Sequence, residues 1–122
     1  MIKVIVFLSR LPHIDREAFK AYYEGKHAPM CETLLPMVAV YERNYPDVSR
    51  VKPAEGRSLD ETVGFDAITV LKFTDAEAYD AHQAALKDLR IRQIILDDEA
   101  NFLDRSKTRV FVVDERTSQA AQ

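Results

Sequence analysis

The chain is poor in residues on which several kinds of protein depend. It has one cysteine, Cys31, and three glycines in 122 residues. A single cysteine excludes an internal disulfide framework and any site built from several thiolates, such as a zinc ribbon or a cysteine-ligated iron–sulfur cluster. So few glycines leave no phosphate-cradling loop, and His13, His27 and His82 are scattered, with no HExxH pairing. No cofactor is therefore expected, and haem, which needs a single histidine ligand, is the alternative left open. Basic residues are not in excess: 17 Lys and Arg face 20 Asp and Glu, giving a net charge of -3. That is the wrong sign for gripping a phosphate backbone, so nucleic acid is not an expected partner. The apolar run Val4 to Leu8 is far too short to span a bilayer. The start of the chain also lacks the apolar stretch and small-residue cleavage site of a secretory signal, so the expected location is cytoplasmic, with no membrane partner.

What is present suits one globular domain. Hydrophobic residues make up 47% and charged residues 30%, and the length allows a real core without staples. The first ten residues read as a strand: Ile2, Val4, Val6 and Leu8 fall on one face, Ile5 and Phe7 on the other. Asp15 is placed to cap a helix carrying Phe19, Tyr22 and Tyr23, which should stop near Pro29, because a residue before proline avoids helical geometry. Pro29 also suits the first turn of a short second helix through Leu35. Met37 to Tyr45 and Phe65 to Phe73 read as the second and third strands. Between them, Pro46 to Gly64 is too long for an ordinary connection and has the character of a functional or mobile loop. Thr74 and Glu77 have capping-box spacing ahead of a helix with Tyr79, His82, Leu86 and Leu89 on one stripe. Further helical turns follow through Ile95, then a last strand from Arg109 to Asp114.

The order βαββαβ gives an α+β fold, a ferredoxin-like four-stranded antiparallel sheet with helices on one side. The first and last strands are apolar on both faces, yet two helices cover only one face. The other would leave a patch larger than soluble monomers tolerate, so a second copy packed sheet to sheet is expected, a homodimer.

Several side chains have chemistry to offer, and each has a plainer reading beside it. His27 shares a broad helical face with Phe19 and Tyr23, where it is either a general acid or base near neutral pH or a helix-end histidine satisfying carbonyls. Cys31, four residues on, would pair with His27 only if one helix ran through both, and Pro29 argues instead for a small buried hydrophobe. His82 reads as a core histidine with a satisfied hydrogen bond, and His13 lies in a turn. Arg43, Asn44, Asp66 and Thr69 interrupt apolar strands, so they either line a cavity or sit near strand ends in water. Asp97, Asp98 and Glu99 read as a solvated helix end before a hard-cation site.

Phe19-Lys-Ala-Tyr22-Tyr23-Glu-Gly-Lys-His27-Ala-Pro29 resembles the F-x-x-Y-(W/Y)-x-x-x-H-A-P signature of the EthD family, in the dimeric α+β barrel superfamily. Phe65-Asp66-Ala67-Ile68 is similar to that family's third strand, and Asp98-Glu99-Ala-Asn-Phe102-Leu-Asp104 to its D-E-x-x-F-x-D segment. Tyr23 stands where many members have tryptophan. The resemblance runs from the first strand to the last, and implies an EthD-like domain over residues 1–115 with a polar tail over 116–122. It also implies a small-molecule cavity between each sheet and its helices. On activity it is broader, since the superfamily holds muconolactone isomerases, polyketide cyclases, cofactor-free monooxygenases and haem enzymes. EthD itself is associated with ether degradation by a haem monooxygenase system, and similar fungal members are described as polyketide decarboxylases or dehydratases.

Together these readings lead to a cofactor-independent enzyme acting on a small apolar or aromatic metabolite, of isomerase, decarboxylase, dehydratase or cyclase type. His27, Tyr23 and Asp66 are the expected catalytic residues. Tyr22, Phe19, Asn44, His82 and Phe102 are the expected substrate contacts. The alternatives are an accessory protein that binds a hydrophobic compound for a monooxygenase partner system, and an oxidoreductase in xenobiotic metabolism.

Overall fold

A computed structural model describes residues 1–120. Four antiparallel strands form one sheet: β1 (Ile2–Leu8), β2 (Val40–Asn44), β3 (Ala67–Phe73) and β4 (Arg109–Val113), in the order β2-β3-β1-β4. The ferredoxin-like expectation holds, with β1 central and paired to β3 through Ile2↔Phe73 and Leu8↔Ala67, and to β4 through Val4↔Val112. Because side chains alternate along a strand, this register divides the sheet into two faces. Val4, Val6, Leu8, Ala67, Thr69, Leu71 and Tyr41 share the helix side, while Ile5, Phe7, Ile68, Val70 and Phe111 share the other.

The helix side is covered by two layers of chain. The first is α1 (Arg16–Tyr22), capped by Asp15, whose carboxylate accepts from the Ala18 amide, and running on through a wide turn, Tyr23–His27, into α2 (Ala28–Leu34). The chain stays helical through Pro29 rather than stopping there, and Pro29 occupies the first turn of α2, as expected for a short second helix through Leu35. The Ala28 amide reaches back five residues to the Tyr23 carbonyl, an extra residue in that turn, and Ala28 keeps helical angles of φ -63° and ψ -47°. A π-type turn of this kind loosens the ladder just before the proline, where the ring would otherwise meet the carbonyl four residues back. The second layer is α4 (Ala76–Lys87) followed by α5 (Leu89–Glu99), capped by Asp75 and Asp88. Asp75, not Thr74, caps α4, because its carboxylate accepts from the Ala78 amide at 2.8 Å.

Phe19, Tyr23, Ala28, Leu8, Ala67, Phe102 and Leu103 form the core between sheet and first layer. Strand β2 begins at Val40 rather than Met37, and β3 at Ala67 rather than Phe65. The 46–64 segment holds a 3-10 turn, Val48–Arg50, and a single helical turn, α3 (Leu59–Thr62), closed by a Ser58–Glu61 capping box. Residues 114–120 carry no helix or strand, and the last two positions of the expected polar tail lie outside the described residues.

Candidate functional site

A cavity of about 330 Å³ lies between the helix side of the sheet and the two helical layers. Its floor is Val6, Leu8, Thr69, Leu71 and Tyr41 from the strands, and its wall is Tyr23, His27, Cys31 and Leu35 from the wide turn and α2. Leu35, Pro36 and Val38, between α2 and β2, close one end, and His82 and Glu99 reach it from α4 and α5. Such a volume is at the lower end of ordinary small-ligand pockets and suits a molecule of one or two rings.

His27 is buried, with one ring nitrogen committed. Its Nδ1 lies 2.8 Å from Asp98 Oδ2. An ionised carboxylate only accepts, so Nδ1 carries the proton and Nε2 is left with its lone pair. Asp98 is held in turn by the Tyr22 hydroxyl, which donates to Oδ1 at 2.7 Å and accepts from Asn101 Nδ2 at 3.0 Å. Phe102 packs on the imidazole at 4.9 Å between centroids and stacks on Tyr22 at 5.0 Å, which fixes both rings. Burial lowers the His27 pKa, and the Asp98 carboxylate partly restores it. The ring is therefore neutral at pH 7, a base and not a cation.

Cys31 Sγ sits 3.5 Å from His27 Nε2. The continuous helix supplies the four-residue spacing that Pro29 argued against. Burial, then the negative charges of Glu99 and Asp98, push the thiol up to about 12, so it stays protonated and serves as a weak donor to Nε2. Beside it, Tyr41 donates to the Tyr23 hydroxyl at 2.9 Å, and Tyr23 lies 2.7 Å from Thr69 Oγ1. Burial pushes Tyr23 up to about 12, and burial also raises Tyr41, so both phenols are neutral donors. His82 is buried against Phe73 at 5.0 Å, its Nδ1 3.4 Å from Gln83 Oε1, and burial lowers its pKa.

Of the residues expected from sequence, His27, Tyr23 and His82 line the cavity. Tyr22 and Phe102 stand behind His27 and hold it rather than facing the cavity, and Phe19 is fully buried core. Asp66 and Asn44 are elsewhere. Asp66 precedes β3, where the Arg10 amide and guanidinium hold its two oxygens at 2.8 and 2.7 Å, with Arg16 Nε at 3.3 Å. A carboxylate engaged by two arginines away from the cavity has no proton-transfer role at His27. Asn44 is exposed on the opposite side of the sheet and donates to the Ile68 carbonyl at 3.0 Å. Its end-of-strand place follows from β2 stopping there.

Sequence reasoning passed over Asp98, Tyr41 and Glu99. The D-E-x-x-F-x-D match contained the signal for the two acids, since Asp98 and Phe102 both contact the imidazole. Tyr41 gave none, because it reads as an ordinary strand aromatic. The 46–64 segment contributes nothing to this cavity. Among the described residues no group of three His, Cys, Asp or Glu side chains is arranged to hold a metal ion, and no helix is long and apolar enough to cross a membrane.

Comparison with solved structures finds the same fold at low identity. HapK from Hahella chejuensis superposes with a TM-score of 0.62 at 15% identity, covering 100% of this chain and 99% of that one. An ethyl tert-butyl ether d (EthD) family protein from Bacillus halodurans gives 0.61 at 19% identity, covering 95% and 100%. An Arabidopsis thaliana protein gives 0.55 at 16%, covering 100% of both chains. A search of curated proteins finds none that matches. The family model described as the EthD domain matches residues 11–106, which hold the wide turn, His27 and Asp98 together, and the chain belongs to the EthD family.

Proposed function

We propose that the protein is a cofactor-independent acid/base enzyme acting on a small, largely apolar or aromatic metabolite. One observation carries this reading: a buried imidazole, its Nδ1–H donated to Asp98, at the wall of a mostly apolar cavity. Asp98 selects the tautomer and stabilises the imidazolium formed when Nε2 takes a proton. The Tyr41–Tyr23–Thr69 chain offers a hydroxyl that can hydrogen-bond a substrate oxygen. Isomerisation, dehydration and cyclisation all need this pair of services. The high thiol pKa of Cys31 argues against covalent catalysis by that residue.

The test is turnover or ligand chemistry in His27→Gln. Loss of on the order of a hundredfold or more in kcat, with folding intact, is the expected result for an acid/base group. Turnover within a few-fold of wild type refutes the role.

A second reading rests on the apolar lining together with the name of the Bacillus relative, which refers to an ether. In it the cavity stores or delivers a hydrophobic compound within a degradation pathway, for an oxidising partner. His27→Gln would then change affinity modestly, and no product would form.

The protein is proposed to work as a two-fold dimer. Val110, Phe111 and Val112 on the edge strand β4 are 62%, 51% and 60% exposed, and Phe111 continues the outer apolar face of Ile5, Phe7, Ile68 and Val70. An exposed apolar edge strand is a liability in a monomer, and a second copy packed on the outer face would cover Phe111 with that face.

A further inference from the structure

The cavity contains a second titratable group that the histidine reading does not use. Glu99, the last residue of α5, lines the same cavity and makes no side-chain hydrogen bond among the described residues. Its position follows from the helix that holds Asp98: one residue on, the chain presents a carboxyl to the cavity while Asp98 stays behind the imidazole. The two are close to the same chemistry. The Glu99 carboxylate raises the Cys31 thiol more than Asp98 does, and that thiol is 3.5 Å from His27 Nε2. The other ionisable groups facing Glu99 are Arg105, which draws its pKa down, and Asp98, which with burial raises it. His82 and Glu32 complete the polar lining, and among the described residues no Lys or Arg lines the cavity.

We infer that Glu99 is the proton donor that partners His27, acting on an uncharged carbonyl compound. The inference rests on the proposed role of His27. In the step, Nε2 takes a proton from the carbon beside the carbonyl, and the C–H electron pair becomes the new C=C bond. The C=O π pair takes the Glu99 proton, leaving an enol, an imidazolium and a carboxylate, and proton exchange with solvent restores both groups. A carboxylate-bearing compound fits poorly, because the lining supplies acids and no fixed cation to offset a desolvated negative charge.

The two protonation states set a pH window. His27 must be neutral, which holds above its lowered pKa, itself under the usual 6.5. Glu99 must be protonated, which holds below its raised pKa, itself over the usual 4.5. The rate therefore passes through an optimum and falls on both sides of it.

The experiment uses 2-tetralone, an enolisable uncharged ketone, in D2O, and follows deuterium entry at its α-carbons by proton NMR with catalytic amounts of the whole protein. Wild type is expected to accelerate exchange over buffer with a bell-shaped pH profile. Glu99→Gln is expected to lose roughly a hundredfold and the alkaline limb with it, while Glu99→Asp, which keeps a carboxyl, retains that limb. Unfolding midpoints in urea confirm that each variant is folded. Exchange by Glu99→Gln within twofold of wild type, with both limbs intact, overturns the donor role and leaves the His27 reading standing if His27→Gln is inactive. No acceleration by wild type overturns both.

Discussion

At the scale of the residue, Asp98 decides what His27 can do. Asp98→Asn keeps an oxygen in reach but removes the charge and lets an amide N–H face Nδ1, which favours the wrong tautomer. Activity should fall on the order of a hundredfold or more. Since Asp98 supports the imidazolium, the His27 midpoint should move still lower, which histidine NMR titration reads directly. Stability responds to the same burial. His27 and His82 both have folded pKa values below 6.5, so their contribution is present above 6.5 and is lost as pH falls through the folded values. Glu99, held above 4.5, acts in the opposite sense, so a variant is the cleaner readout. His82→Asn should shrink the drop in urea midpoint between pH 7.5 and pH 5.5; an unchanged drop removes His82 from the account.

At the scale of the element, the wide turn at Tyr23–His27 carries Tyr23 into the core and His27 onto the cavity wall while the helix runs on past Pro29. Each residue of an α-helix advances about 100°, so one residue more or fewer between them re-aims one of the two. Gly25 is exposed, with open space where a side chain would be, and is the natural place to test this. Deleting Gly25 should leave a folded protein in which Tyr23 and His27 no longer face the cavity together, with activity lost and the His27–Asp98 bond broken by NMR. This element also shows what the sequence could reveal. Apolar alternation made four strands and their order readable, and the F-x-x-Y to H-A-P spacing identified the helix. The local rule for residues before proline then ended that helix at Pro29, because a ladder offset of one residue comes from tertiary packing and has no periodicity of its own. Asp66 misled for a related reason. A buried acid near a strand reads the same whether arginines or a ligand neutralise it, and only the fold places Arg10 and Arg16 beside it.

At the scale of the whole molecule, the sheet has one face covered by its own helices and one that is not. Phe111→Glu places a charge on the outer apolar face at its β4 edge, opposite Ile5 and 6.0 Å from the Phe7 ring in the wild type. If that face joins two copies, sedimentation equilibrium should show wild type as a dimer and the variant as a monomer at the same concentration. A monomeric wild type at micromolar concentration removes the dimer.

The clasp that withdrew Asp66 from the chemistry has its own outcome. Arg16, in the first turn of α1, lies 3.3 Å from Asp66 at the entry to β3 as an ion pair and donates to Asp60 in the single turn α3 at 2.8 Å. The Asp66 arm is buried and the Asp60 arm is exposed, so added salt screens the second far more than the first. Rising ionic strength therefore loosens the Asp60 contact of the 46–64 excursion first, while the Arg10 hydrogen bonds keep Asp66 tied to the end of the central strand.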